Sequence, residues 1–193
     1  MRTNRRKFIG TAAAAGAAAL ASKARADEPK KLSLGLIGAG WYGNVDAQAA
    51  LKAGGAEIAA VCDVDSAHLK KSADDYEKAQ GKRPQTFKLY QELLDSKGLD
   101  GVIIATPPHW HALISIAAMQ AGKDVLCEKP MTRFIAEGKG VIEAERRYGR
   151  IFQIGTYGRL GASHNRDANT TRKIMLSGLL KECKGVHIHD GGW

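Results

Sequence analysis

Four short stretches hold residue types and spacings that could do chemistry, all within residues 38–130. The first is Gly38-Ala39-Gly40-Trp41-Tyr42-Gly43, a G-x-G-x-x-G run whose residues, Trp41 and Tyr42 included, are candidate cofactor contacts. Such a run cradles a pyrophosphate only where it follows a strand and opens a helix. There Gly38 allows the tight turn, Gly40 lets the backbone approach the phosphates, and Gly43 lets the helix pack closely on the strand. Unpaired N–H groups at the helix start face the anion. The second is Asp63, 20 residues past Gly43. A carboxylate there accepts from both hydroxyls of an adenosine ribose and repels the 2′-phosphate of NADP. Val64 and Asp65 follow it rather than an arginine, so NAD is favoured over NADP. The alternative role for Asp63 is a helix cap.

The third stretch is Ala105-Thr106-Pro107-Pro108-His109-Trp110-His111, and the fourth is Glu128-Lys129-Pro130. Each follows a predicted strand, and ligands of open parallel sheets sit at the strands' C-terminal edge. The prolines stop one strand and restrict the backbone around Lys129. A satisfied histidine in a helix first turn is the plainer reading of His111. Solvated surface charge is the plainer reading of Glu128-Lys129.

These stretches need elements to hold them. Apolar patterning and turn residues predict strands over 30–37, 57–62, 85–89, 101–105, 124–127 and 151–154. Helices are predicted over 42–53, 66–79, 91–94, 110–120 and 132–148, with Ser66 as a cap. Strands alternating with helices imply right-handed βαβ units. The fold class is therefore α/β, a doubly wound parallel sheet of Rossmann type over 30–150. Residues 151–193 are expected to begin a second α/β domain, with one helix over 171–176 and one strand over 184–190. One helix and one strand cannot close a core, so an incomplete chain is expected.

The order of these features resembles the Gfo/Idh/MocA oxidoreductase family, which includes glucose–fructose oxidoreductase and inositol dehydrogenase. The features are the glycine turn, an acid-ended second strand, the T-P-x-x-x-H loop, the run Ala121-Gly122-Lys123-Asp124-Val125-Leu126-Cys127-Glu128-Lys129-Pro130 and a long helix. The likeness is close over 32 to about 155 and looser beyond. It implies an enzyme that moves hydride between NAD and a secondary alcohol of a sugar or cyclitol, and a homo-oligomer when full length. By the same resemblance Lys129 is catalytic, holding the reacting hydroxyl and moving its proton. Thr106, Pro107 and His111 would line the nicotinamide pocket, and Glu128 would contact the cofactor. Gln153, Gly155 and Arg159 fit the family's Q-x-G-x-x-x-R spacing, which marks Arg159, with Tyr157 inside the run, as substrate contacts. The family's D-x-x-x-H is missing, because Asp190 is followed only by Gly191-Gly192-Trp193. That departure keeps a nucleotide-binding module without turnover as the alternative, and redox-assisted glycoside cleavage as a further one.

The formal charge of +9 suggests nucleic acid at first sight, but Arg2, Arg5, Arg6, Lys7, Lys23 and Arg25 lie in the first 26 residues with no acid among them. Without those six, 23 bases face 20 acids, a balance of about +3 that argues against a nucleic-acid surface. Asn4-Arg5-Arg6-Lys7-Phe8-Ile9, the alanine-rich run 11–20 and Ala24-Arg25-Ala26 read as a twin-arginine signal over 1–26. A membrane-lying or membrane-spanning helix is the alternative, though the run is about half of the roughly 20 residues a span needs. Export through the twin-arginine machinery to the periplasm, folded with NAD aboard, follows from the first reading. Cys62, Cys127 and Cys183 form no C-x-x-C pair and are expected to be small buried residues. His187 and His189 share one strand face but lack a third ligand, so no metal site is expected.

Overall fold

Gly101–Ile104 is apolar without alternation, as a strand covered on both faces must be, and all four of its residues are buried. The computed structural model describes residues 31–156 and 176–178. Its elements run β1 (Leu32–Ile37), α1 (Trp41–Ala53), β2 (Ala56–Cys62), α2 (Ser66–Gln80), β3 (Gln85–Phe87), α3 (Tyr90–Asp95), β4 (Gly101–Ile104), α4 (Pro108–Gln120), β5 (Asp124–Glu128), α5 (Ile135–Tyr148) and β6 (Phe152–Gly155). The six strands form one parallel sheet in the order β3-β2-β1-β4-β5-β6. The chain moves outward from β1 to β3, then returns to β4 on the other side of β1. The order reverses there, which opens the crevice where ligands of this fold class sit.

The sheet has a core on each face because neighbouring residues of a strand point opposite ways. Leu36 and Ile103 pack with Ala47 of α1 and Tyr76 of α2. Ile37, Val102 and Ile104 pack with Leu93, Ile114 and Val141 of α3, α4 and α5. Burying each large apolar side chain stabilises by roughly 1.5–3 kcal/mol. Cys62 in β2 and Cys127 in β5 are free and buried, and burial pushes their thiols up to about 12 and about 11. Among the described residues, no helix is long and apolar enough to cross a membrane.

Three local expectations need correction. Asp65, not Ser66, caps α2: its carboxylate accepts from the N–H groups of Ala67 and His68 at 2.7 and 3.4 Å. The last helix starts at Ile135 rather than 132. Glu137 Oε2 reaches back to accept from the N–H groups of Arg133 and Phe134 at 2.9 and 3.1 Å, which fixes the start there. Phe152–Gly155 pairs with β5, so the sheet extends past the expected boundary at 150. The signal over 1–26, Cys183, the helix over 171–176 save its last residue, and the strand with His187 and His189 lie outside the described residues.

Candidate cofactor site

Strand register brings the four chemical stretches to one edge. Ile37 pairs with Cys62 on one side and with Ile104 on the other, and Ile104 pairs with Cys127. Gly38, Asp63, Ala105 and Glu128 follow these residues and stand in one row across four strands. Strands lie roughly 4.8 Å apart, so the glycine turn and Glu128, two strands apart, are separated by roughly 10 Å.

The three glycines do different things. Gly38 has φ +93°, and a Cβ there would stand 2.7 Å from the Ala105 carbonyl and 2.9 Å from the Thr106 nitrogen. A Cβ on Gly43 would overlap the Gly38 carbonyl oxygen. A Cβ on Gly40 would meet nothing within 4 Å. The turn is therefore packed from below and open above Gly40, where α1 begins without any side-chain cap. Its first N–H groups have no intrahelical partners, which suits a pyrophosphate.

Asp63 supports this turn as well as facing its edge. Its Oδ2 accepts from the Ala39 N–H at 2.7 Å and its Oδ1 from the Asp65 N–H at 2.8 Å. Each carboxylate oxygen keeps a second lone pair for a ribose hydroxyl. The helix-cap alternative falls away, since Asp65 does the capping.

Sequence reasoning missed a network beneath the turn. Asn44 Nδ2 donates to the carbonyls of Ala39 and Gly40 at 2.7 and 2.9 Å. Its Oδ1 accepts from Ser72 Oγ at 3.0 Å and Tyr76 Oη at 2.6 Å. Ser72 and Tyr76 are both buried. No motif announces these three residues; a polar pair spaced i, i+4 on the buried face of α2 was the available signal.

Around β4 and β5 two of the expected residues are buried. His111 is 1% exposed. Its Nδ1 faces the Pro130 carbonyl and its Nε2 the Thr106 carbonyl, each at 2.7 Å. It straps one loop to the other. Glu128 is 5% exposed, its carboxyl packed against Gly155. Its Oε2 accepts from the Lys129 N–H at 3.2 Å, and the absence of a side chain at Gly155 makes room for it. Burial, then the neighbouring Asp46 carboxyl, hold the Glu128 carboxyl above the usual glutamate range. Burial first, and then Glu128 and Asp46, likewise raise the Tyr42 hydroxyl.

The remaining expected residues face the edge. Trp41 is exposed and Tyr42 partly so, their rings edge to face with centroids 5.5 Å apart. Pro107 is exposed, and the Thr106 hydroxyl oxygen is buried with no partner among the described residues. Lys129 is exposed, in a cis peptide bond with Pro130, and its ammonium has no recorded hydrogen-bond or ion-pair partner among the described residues. An open cavity of about 580 Å³ adjoins it, lined by Pro108, His109, Pro130, Thr132, Arg133 and Phe134. Tyr157 and Arg159 lie outside the described residues. The open turn, the strand-end carboxylate of Asp63 and the partnerless Thr106 hydroxyl fit a dinucleotide.

Residues 32–156 match the family described as "Oxidoreductase family, NAD-binding Rossmann fold", Gfo/Idh/MocA. The chain belongs to that family. Its cofactor is NAD, and the glycine turn and Asp63 stand where this fold holds it. A glycosyl hydrolase family 109 protein of Stenotrophomonas maltophilia is 31% identical over 97% of this chain and 41% of its own length. An inositol 2-dehydrogenase of Salmonella paratyphi B is 33% identical over 64% of this chain and 36% of its own. Among solved structures, the WlbA dehydrogenase of Chromobacterium violaceum, in complex with NADH and UDP-GlcNAcA, superimposes with a TM-score of 0.67 at 25% identity. That match covers 79% of this chain and 41% of that one. The myo-inositol 2-dehydrogenase of Lactobacillus plantarum also gives 0.67 at 25% identity, over 78% and 42%. This Gfo/Idh/MocA chain thus spans well under half the length of these relatives.

Proposed function

We propose that this oxidoreductase-family chain carries the NAD-binding domain of an enzyme acting on a secondary alcohol of a sugar or cyclitol, with Lys129 managing the hydroxyl proton. Bound NAD supplies the nicotinamide carbon that exchanges hydride with the substrate. The observation that carries the reading is Lys129 itself. It stands exposed and without a hydrogen-bond or ion-pair partner among the described residues at the end of β5, in the row that holds the glycine turn, beside an open cavity. As hydride leaves a carbinol carbon, the hydroxyl must lose its proton. Lys129 takes that proton as a free amine and returns it as an ammonium in the reverse direction. Arg159 and Tyr157 are proposed to hold the substrate from the chain beyond β6.

The test is single-turnover hydride transfer in the full-length protein with NAD prebound, alongside an NAD titration. Lys129→Ala should slow transfer by a factor of about 10² to 10⁴ and shift NAD binding by less than about 1 kcal/mol. Lys129→Arg should not rescue it, because guanidinium does not give up a proton near neutral pH. Transfer at the wild-type rate in the alanine variant ends this reading.

The family 109 glycosyl hydrolase likeness, which reaches across 97% of this chain, favours a second reading in which the same hydride step serves glycoside cleavage. NAD-dependent release of a phenol from an aryl glycoside distinguishes it from simple alcohol oxidation. We further propose export of the folded protein to the periplasm through Arg5-Arg6, assembled there as a homo-oligomer with NAD retained. Arg5→Lys with Arg6→Lys should leave an uncleaved cytoplasmic precursor, and normal maturation of that variant refutes the route.

A further inference from the structure

We propose that Asp46 is a positioning residue for the Lys129 site: it shares one proton with Glu128, which keeps the Glu128 carboxyl folded inward and leaves Lys129 alone at the ligand edge. Asp46 lies on α1 three positions after Gly43, and the buried positions of that helix are Gly43, Asp46 and Ala47. A carboxyl therefore occupies a core position directly behind the glycine turn, at 2% exposure. Glu128 is 5% exposed at the end of β5, and its carboxyl lies within hydrogen-bonding reach of the Asp46 carboxyl.

Two ionised carboxylates cannot make that contact, since each only accepts. Buried side by side they would also repel, and such pairs resolve the conflict by keeping one proton between them. The oxygens of Glu128 agree with this. Oε2 accepts from the Lys129 N–H, while Oε1 is buried and has no ordinary donor among the described residues. A proton on the pair gives that oxygen its partner. Gly155 completes the pocket, because a Cβ there would overlap the Glu128 carboxyl and drive it outward.

The surrounding groups are few. The Tyr42 hydroxyl on α1 senses both acids, the Tyr76 hydroxyl on α2 senses Asp46 and Asp75, and the Lys129 ammonium on β5 favours the charged form of Glu128. With one proton retained, the pair carries a single negative charge beside Lys129. With none, it carries two, and Glu128 gains reason to swing toward the lysine. The consequence for turnover rests on the reading of Lys129 given above, whereas the shared proton does not.

The experiment therefore has two arms on the full-length protein. Infrared spectra of NAD-free protein at neutral pH should contain the C=O stretch of a protonated carboxylic acid that disappears in both Asp46→Asn and Glu128→Gln. No such band in the wild type, or a band that neither variant removes, overturns the shared proton; the wild-type spectrum alone decides this even where a variant fails to fold. In the second arm, single-turnover transfer with prebound NAD should be slower in Asp46→Ala than in Asp46→Asn by about tenfold, because asparagine still donates to Glu128. NAD affinity should be alike in the two. Equal rates in both variants overturn the positioning role. If Lys129→Ala proves fully active while the band behaves as expected, the carboxyl pair stands and the reading of Lys129 falls.

Discussion

Replacing His111 with phenylalanine keeps a planar ring in the same buried space and removes both ring nitrogens. Those nitrogens stand 2.7 Å from the Thr106 and Pro130 carbonyls, so the substitution cuts the strap between the α4 loop and the Lys129–Pro130 loop. A neutral imidazole donates from one nitrogen only, and an imidazolium from both, so one or two carbonyls lose a donor. Leaving a buried acceptor unsatisfied costs about 1–3 kcal/mol, which puts the loss near 3 kcal/mol. For a domain of this size that corresponds to a fall in Tm of roughly 6–12 °C. Urea unfolding should report the same loss as a lower midpoint at unchanged slope. His111→Gln, which can still donate to one carbonyl, should recover part of it. NAD affinity should move little, since the ring lies beneath the edge and not on it. If His111→Phe unfolds at the wild-type midpoint and instead loses NAD affinity, the ring serves the cofactor and the strap is a wrong account.

Asp63→Ala should weaken NAD by roughly 2–4 kcal/mol and NADP much less in calorimetric titrations; equal losses would take Asp63 out of the ribose role. Gly40→Ala should leave Tm unchanged, because its Cβ meets nothing, yet lower NAD affinity by filling the space the phosphates need. Gly43→Ala should instead destabilise the fold itself, since its Cβ runs into the Gly38 carbonyl; a Tm loss equal to that of Gly40→Ala would contradict the geometry. Glu128 carries a raised pKa when folded, so folding favours its protonated form, and its contribution to stability falls as pH rises through that folded value. Glu128→Gln should therefore gain Tm over the wild type at neutral and alkaline pH and lose that advantage well below the usual glutamate range; a gain that persists in acid would refute the linkage.

The fold was legible because its signals are local. Gly-rich turns, proline pairs and apolar runs such as Gly101–Ile104 mark where strands stop, and every strand and helix predicted over 30–154 has a counterpart within a few residues. Boundaries slipped where a single side chain decides them, as with Asp65 over Ser66 and Glu137 reaching back to Phe134. The glycine turn and Asp63 were readable because their chemistry belongs to the backbone and to strand-end spacing. The burial of His111 and Glu128 was not legible, because sequence places a residue at an edge without saying which way its side chain turns. That direction depends on packing partners well separated in sequence, Gly155 for Glu128 and the Pro130 carbonyl for His111. Asn44, Ser72 and Tyr76 gave no motif, since their partnership exists only once α2 lies against the turn.

That last partnership bears on how such domains can be re-engineered. Cofactor preference could be changed by transplanting the segment that follows the second strand, here residues 63–80. Such a transplant would carry away Ser72 and Tyr76 and leave Asn44 holding the Ala39 and Gly40 carbonyls without its own support. The recipient would acquire a new ribose pocket and a slack phosphate turn in the same step. Cofactor choice and phosphate grip are thus inherited as one unit in this chain, and a successful graft has to bring the residue at 44 along with the helix that steadies it.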